Sequence, residues 1–136
     1  SGRVVRLVPN FKEVERQSYL DTGIFPIMHT IAIKRELVDA APWIAKNLFN
    51  GFEEAKNRSV ARLRDGTISR FPYPWAFACA EEMADMMGPD IWPYGVDANL
   101  RTLEAFLQFC LEQGIAHRPM KVEELFAETV LRGFKI

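Results

Sequence analysis

The hydrophobic pattern changes period twice along this chain. Near the start, Val4-Val5-Arg6-Leu7-Val8 reads as a short strand closed by Pro9. Asn10 followed by Glu13 has the form of a capped helix start, and the helix should run to about Leu20. Gly23 is placed to end it in a left-handed turn. From Ile27 to Lys34 the period becomes two, with Ile27, Ile31 and Ile33 sharing one face with His29. Met28, Thr30 and Ala32 form the other face, which is equally free of charge. A strand without a wet face is covered on both sides, as in the sheet of an α/β protein. His29 is then either a satisfied core residue or part of a cleft at the sheet edge.

The remainder reads as helix. Glu36 to Ala40 suits one short turn, and Pro42 suits the first position of the longest helix, where its missing N–H costs nothing. Ile44, Ala45, Leu48, Phe52, Ala55 and Ser59 make a helical stripe that continues to Arg64, and Asp65-Gly66 ends it. Gly51 inside this stripe suggests close packing against a neighbour. Phe71 to Trp75 is a proline-rich turn into a helix from about Trp75 to Met87, in which Met83, Met86, Met87 and Phe77 read as core filling. Gly88-Pro89-Asp90 stops it. After the aromatic loop Trp92-Pro93-Tyr94-Gly95, Asn99 is expected to cap a helix carrying Leu103, Phe106, Leu107 and Cys110 as far as Gly114. A short helix from Val122 to Phe126 precedes a tail ending at Ile136.

This inventory contains a conflict. Five or so helices accompany only two strands, yet a strand covered on both faces needs strand neighbours. Either another chain completes the sheet or these residues are part of a larger protein. The chain should therefore associate with another copy of itself or with the rest of its protein.

Composition narrows the function classes. The 136 residues suit one domain, and the apolar share of 49% and charged share of 26% are ordinary for a globular protein. A net charge of −1 leaves no electrostatic footprint for nucleic acid. Arg58, Arg62, Arg64 and Arg70 are the nearest to one, but Glu54 stands four before Arg58, so a solvated ion-pair row explains them better. Cys79 and Cys110 have no metal or redox spacing and read as buried free thiols, as in a reducing compartment. No apolar run is long enough for a membrane span. Glu81, Glu82 and Asp85 share a helix without a histidine at ligand spacing, so no metal site is expected.

Four stretches carry a resemblance. Tyr19 to Thr30, Phe52-Glu53-Glu54-Ala55-Lys56, Trp92-Pro93-Tyr94-Gly95 and Thr102-Leu103-Glu104-Ala105-Phe106 are similar, in order and approximate spacing, to the 4,5-dihydroxyphthalate decarboxylase family. The closing Glu123-Glu124-Leu125-Phe126 is similar too; Lys121 departs from the expected Thr or Ser cap before it. The resemblance covers the carboxyl-terminal portion of such a protein and implies a two-lobed α/β fold of the type II periplasmic-binding-protein kind. On that pattern residues 1–26 end the second lobe. Residues 27–136 provide the hinge strand and helices of the first, and the missing amino-terminal portion supplies most strands and half the cleft.

The family implies a carboxy-lyase of phthalate catabolism that converts 4,5-dihydroxyphthalate into protocatechuate and carbon dioxide without a cofactor, in the cytoplasm. Such chemistry needs an acid or base titrating near neutrality, cations for the carboxylates and an apolar slot for the ring. His29 is the expected catalytic acid or base. Thr22, Gly23 and Phe25 are expected to shape the slot, with Trp92 and Tyr94 against the ring. Arg35 or Lys34 can meet a carboxylate, and His117 is expected to be exposed. The competing readings are a periplasmic solute-binding protein for a small carboxylate and an inactive fragment.

Overall fold

The structure, a computed structural model, describes residues 4–68 and 70–131. Six α-helices and one 3-10 turn account for its regular structure: α1 (Phe11–Thr22), α2 (Arg35–Ala40), α3 (Trp43–Leu63), α4 (Ala76–Met87), α5 (Val96–Glu112), the 3-10 turn Val122–Glu124 and α6 (Glu128–Leu131). The helix-dominated expectation holds, and the longest helix does lie between Pro42 and Arg64. The tail beyond Leu131 lies outside the described residues.

Both expected strands are corrected. Residues 4–8 and 23–34 have no regular secondary structure, with a bend at Leu7 and Val8, and no strand occurs among the described residues. Within the second segment Ile27 is 41%, Met28 68% and Ile31 59% exposed, where a buried strand was expected. The physical reason is the absence of a partner: β-structure is a property of pairing, and an extended segment with no neighbour has nowhere to place its amides.

Helix boundaries follow local signals with a few corrections. Gly23 ends α1 at φ 64°, its N–H donating to the Tyr19 carbonyl at 2.7 Å. Asn10 precedes α1 without a side-chain cap, and Pro42 lies just outside α3. Asn99 is not an N-cap, because α5 begins at Val96; its side chain instead donates back to the Pro93 and Gly95 carbonyls. A Cβ on Gly51 would meet nothing within 4 Å, so no close neighbour explains that glycine. The last short helix is shorter than expected, a 3-10 turn over Val122–Glu124.

The small core consists of Ala45, Ala80, Ile91, Leu103 and Val122. Helix α3 packs on α2, α4 and α6, while α5 packs on the 3-10 turn and α6. The second half of the α3 stripe is rotated from its sequence assignment: Phe52, Ala55 and Ser59 are exposed, whereas Lys56 is buried and Phe49 and Val60 are half-buried. Met83, Met86 and Met87 are half-buried, as are Cys79 and Cys110, which are free thiols as expected but less enclosed.

Much apolar surface is left over. The accessible surface is 11096 Å², against about 7,250 Å² for a self-contained protein of this mass.

Exposed charges pair both within helices and between them. Arg58 meets Glu54 at 2.7 Å, the i,i+4 pair read from the sequence. Arg64 reaches Glu81, while Lys12 and Arg16 both reach Glu82, so two of the three α4 carboxylates are taken by cations. Arg118 donates to both oxygens of Glu124, at 2.7 and 3.3 Å, and the Lys121 amide donates to the same carboxylate at 2.8 Å. Glu124 thus satisfies the backbone amide of the cap residue Lys121, while its own amide donates to the Lys121 carbonyl. These donors, Arg118 first, lower its pKa from 4.5 to about 2. A folded pKa below the unfolded one means that the stabilisation is present above the unfolded value of 4.5 and is lost as pH falls through about 2. We expect an NMR titration of the Glu124 carboxyl to show this low midpoint and Arg118→Ala to move it upward; an unmoved midpoint would refute the assignment.

Candidate functional site

A groove of about 790 Å³ runs beside the irregular segment 23–34 and is walled by α3, the loop before α5 and residues 124–130. Its volume is that of a small-molecule site. Ile27, His29 and Ile31 line it together with Phe25, Trp92 and Tyr94.

Gly23 provides the turn between α1 and this segment. Its positive φ is costly for other residues, and a Cβ there would stand 3.2 Å from Arg101 Nη1. Thr22 braces the same turn: its hydroxyl donates to the Ser18 carbonyl at 2.6 Å and accepts from the Ile24 amide at 3.1 Å. Thr22 itself lies outside the groove lining, whereas Gly23 is part of it. Phe25 meets Trp92 edge to face, with ring centroids 5.5 Å apart, a favoured aromatic arrangement. Trp92 remains 43% and Tyr94 38% exposed, so each ring keeps a free surface.

His29 is exposed within this lining and has no hydrogen-bond or ion-pair partner among the described residues, which is not the environment of a satisfied core histidine. Arg35 lines the groove, whereas Lys34 does not. Arg35, and Arg101 beside Gly23 but outside the groove lining, also lack hydrogen-bond and ion-pair partners among the described residues, leaving their guanidinium groups available to an anion. His117 is exposed, away from the groove lining.

An ion cluster around a buried lysine next to the aromatic loop was not anticipated. Lys56 is 7% exposed; its Nζ lies 3.0 Å from Glu53 Oε1, 2.8 Å from Asp90 Oδ2 and 5.4 Å from the centre of the Tyr94 ring. Burial is the largest single influence on its pKa and acts to lower it. The hydrogen bonds to Asp90 and Glu53 together outweigh burial, so the pKa rises above 10.5 and the ammonium stays charged. Glu53 Oε2 is buried without a hydrogen bond. The signal for Lys56 was present in the sequence: it stands four residues after Phe52, on the flank of the apolar stripe. Asp90 had no such signal, because its partner is distant along the chain.

No family model matches the chain. Over 113 residues, 83% of the chain, it is 31% identical to a protein of Comamonas testosteroni named 4,5-dihydroxyphthalate decarboxylase. The resemblance read from the Tyr19 to Thr30, Phe52 to Lys56 and Trp92 to Gly95 stretches is therefore supported across most of the sequence. The chain spans about a third of the length of that relative, 34%. None of its described helices is long and apolar enough to cross a membrane.

Proposed function

We propose that this chain forms part of a cytoplasmic carboxy-lyase of phthalate catabolism that decarboxylates 4,5-dihydroxyphthalate or a closely related aromatic dicarboxylate. The observation that carries the reading is the meeting of an unpartnered imidazole, His29, and the aromatic pair Phe25 and Trp92 on one apolar groove. The name of the Comamonas relative supports the reaction class.

The substrate can react without an external electron sink. A phenolic hydroxyl lies para to a carboxylated ring carbon, and removal of its proton pushes an electron pair onto that carbon. The His29 imidazolium donates a proton there, forming the C–H bond. The C–C bond to the carboxylate then breaks, carbon dioxide leaves, and the released pair restores the aromatic ring. The phenolate and imidazole recover their protons from solvent, so one carboxylate is exchanged for one hydrogen. Arg35 and Arg101 offer charge to the carboxylates, and Phe25, Trp92 and Tyr94 hold the ring and exclude water.

The uncovered surface belongs to the same proposal. An excess of roughly 3,800 Å² over a self-contained protein greatly exceeds the 800 Å² or so that one partner contributes to an ordinary interface. In this reading a larger body covers it, the counterpart of the remaining two thirds of the relative's length. In this reading residues 1–26 end one lobe of a periplasmic-binding-protein-like fold, residues 27–136 belong to the other, and the groove is half of the interlobe cleft.

The direct test supplies 4,5-dihydroxyphthalate to the full-length protein and follows protocatechuate and carbon dioxide. We expect equal amounts of both, without added cofactor. Tight binding of the dicarboxylate without product would replace the lyase with a solute-binding protein. Neither binding nor turnover would overturn both readings.

A further inference from the structure

The Trp92-Pro93-Tyr94-Gly95 loop has little regular structure of its own, yet it forms the aromatic wall of the groove. Its backbone is held from two helices. From α5, the Asn99 Nδ2 donates to the Pro93 carbonyl at 2.9 Å and to the Gly95 carbonyl at 2.8 Å. From the α3 side the hold is indirect. Asp90 Oδ1 accepts the Trp92 amide at 3.2 Å, while its Oδ2 accepts from Lys56 Nζ at 2.8 Å. Lys56 is in turn steadied by Glu53, one helical turn earlier, and its ammonium stands over the Tyr94 ring at 5.4 Å.

We infer that Lys56 is a positioning residue for the groove: through Asp90 it sets the place of Trp92, and hence of the Trp92 ring against Phe25 and a bound ring. The inference rests on the proposed function only for the identity of the ligand. Lys56 is absent from the groove lining and needs no contact with substrate. The Lys56 side chain is 5% exposed, so its ammonium depends on Glu53 and Asp90 for its partners, while Asp90 itself keeps 46% of its side-chain surface. Asp90 divides its two oxygens between the cation and the loop amide. Moving the cation therefore moves the loop.

The test uses the full-length protein labelled with 5-fluorotryptophan, in which Trp92→Phe identifies the Trp92 fluorine resonance. In Lys56→Met we expect that resonance to shift and broaden while those of Trp43 and Trp75 stay in place. The KM for 4,5-dihydroxyphthalate should rise by about ten- to a hundred-fold with kcat less affected, the scale on which a misplacement of an ångström counts. Lys56→Arg should preserve the Trp92 resonance and most of the affinity. If Lys56→Met does not fold, Asp90→Ala removes the same link at its other end and should give the same pattern. A folded Lys56→Met or Asp90→Ala protein with an unmoved Trp92 resonance and unchanged KM would overturn the inference and leave the cluster as a tie within the scaffold. If the wild-type protein neither binds nor converts the dicarboxylate, the proposed function fails. The fluorine resonance then decides the positioning question by itself.

Discussion

Changing His29 to Gln in the full-length protein is expected to lower turnover by about two to four powers of ten, the usual contribution of a positioned acid or base. Glutamine keeps a polar side chain of similar reach but cannot donate a proton to carbon near neutrality. The substitution should barely affect folding, because His29 is exposed and has no hydrogen-bond or ion-pair partner among the described residues. A surface change of this kind lies within about 0.5 kcal/mol of neutral. Affinity for the dicarboxylate should also be largely retained, since the candidate carboxylate cations are Arg35 and Arg101. Turnover, ligand affinity and melting temperature measured on one preparation separate the contributions. A fully active His29→Gln protein would remove this residue from the mechanism, and the groove would then have no identified acid.

The second large effect concerns the backbone of residues 27–33. If the rest of a longer protein covers this segment as a sheet, its amides should exchange with solvent more slowly than in the free chain by roughly three powers of ten or more. That is the protection of a segment that opens only with the core. The motive is the combination of uncharged side chains on both faces with a backbone that has no ladder partner. Hydrogen exchange read peptide by peptide in the monomeric full-length protein tests it. Rapid exchange there would refute the proposed cover. Protection that appears only as the concentration rises would transfer the cover to a second copy and refute it equally.

Helices were legible in the sequence because their signals are local. The period of apolar residues, Gly23 after α1 and Gly88 after α4 act within a turn or two of chain, and the helices form where these signals stand. The two segments read as strands form none. A strand signal states that a segment can join a sheet, and says nothing about whether a neighbour is present. The same limit applied to α3, where the periodicity identified a helix but misjudged its buried side near Lys56.

Sequence alone determined the helical character, the apolar run around His29, the aromatic loop and the resemblance to a decarboxylase family, since each is written in consecutive or periodically spaced residues. Only the tertiary structure decided that Phe25 and Trp92 meet, that Lys56 and Asp90 pair across 34 positions, and that Asn99 ties the loop instead of capping a helix. Contacts between residues far apart in the chain depend on how the helices pack. Packing depends on shape and burial summed over the whole molecule, which no local pattern encodes.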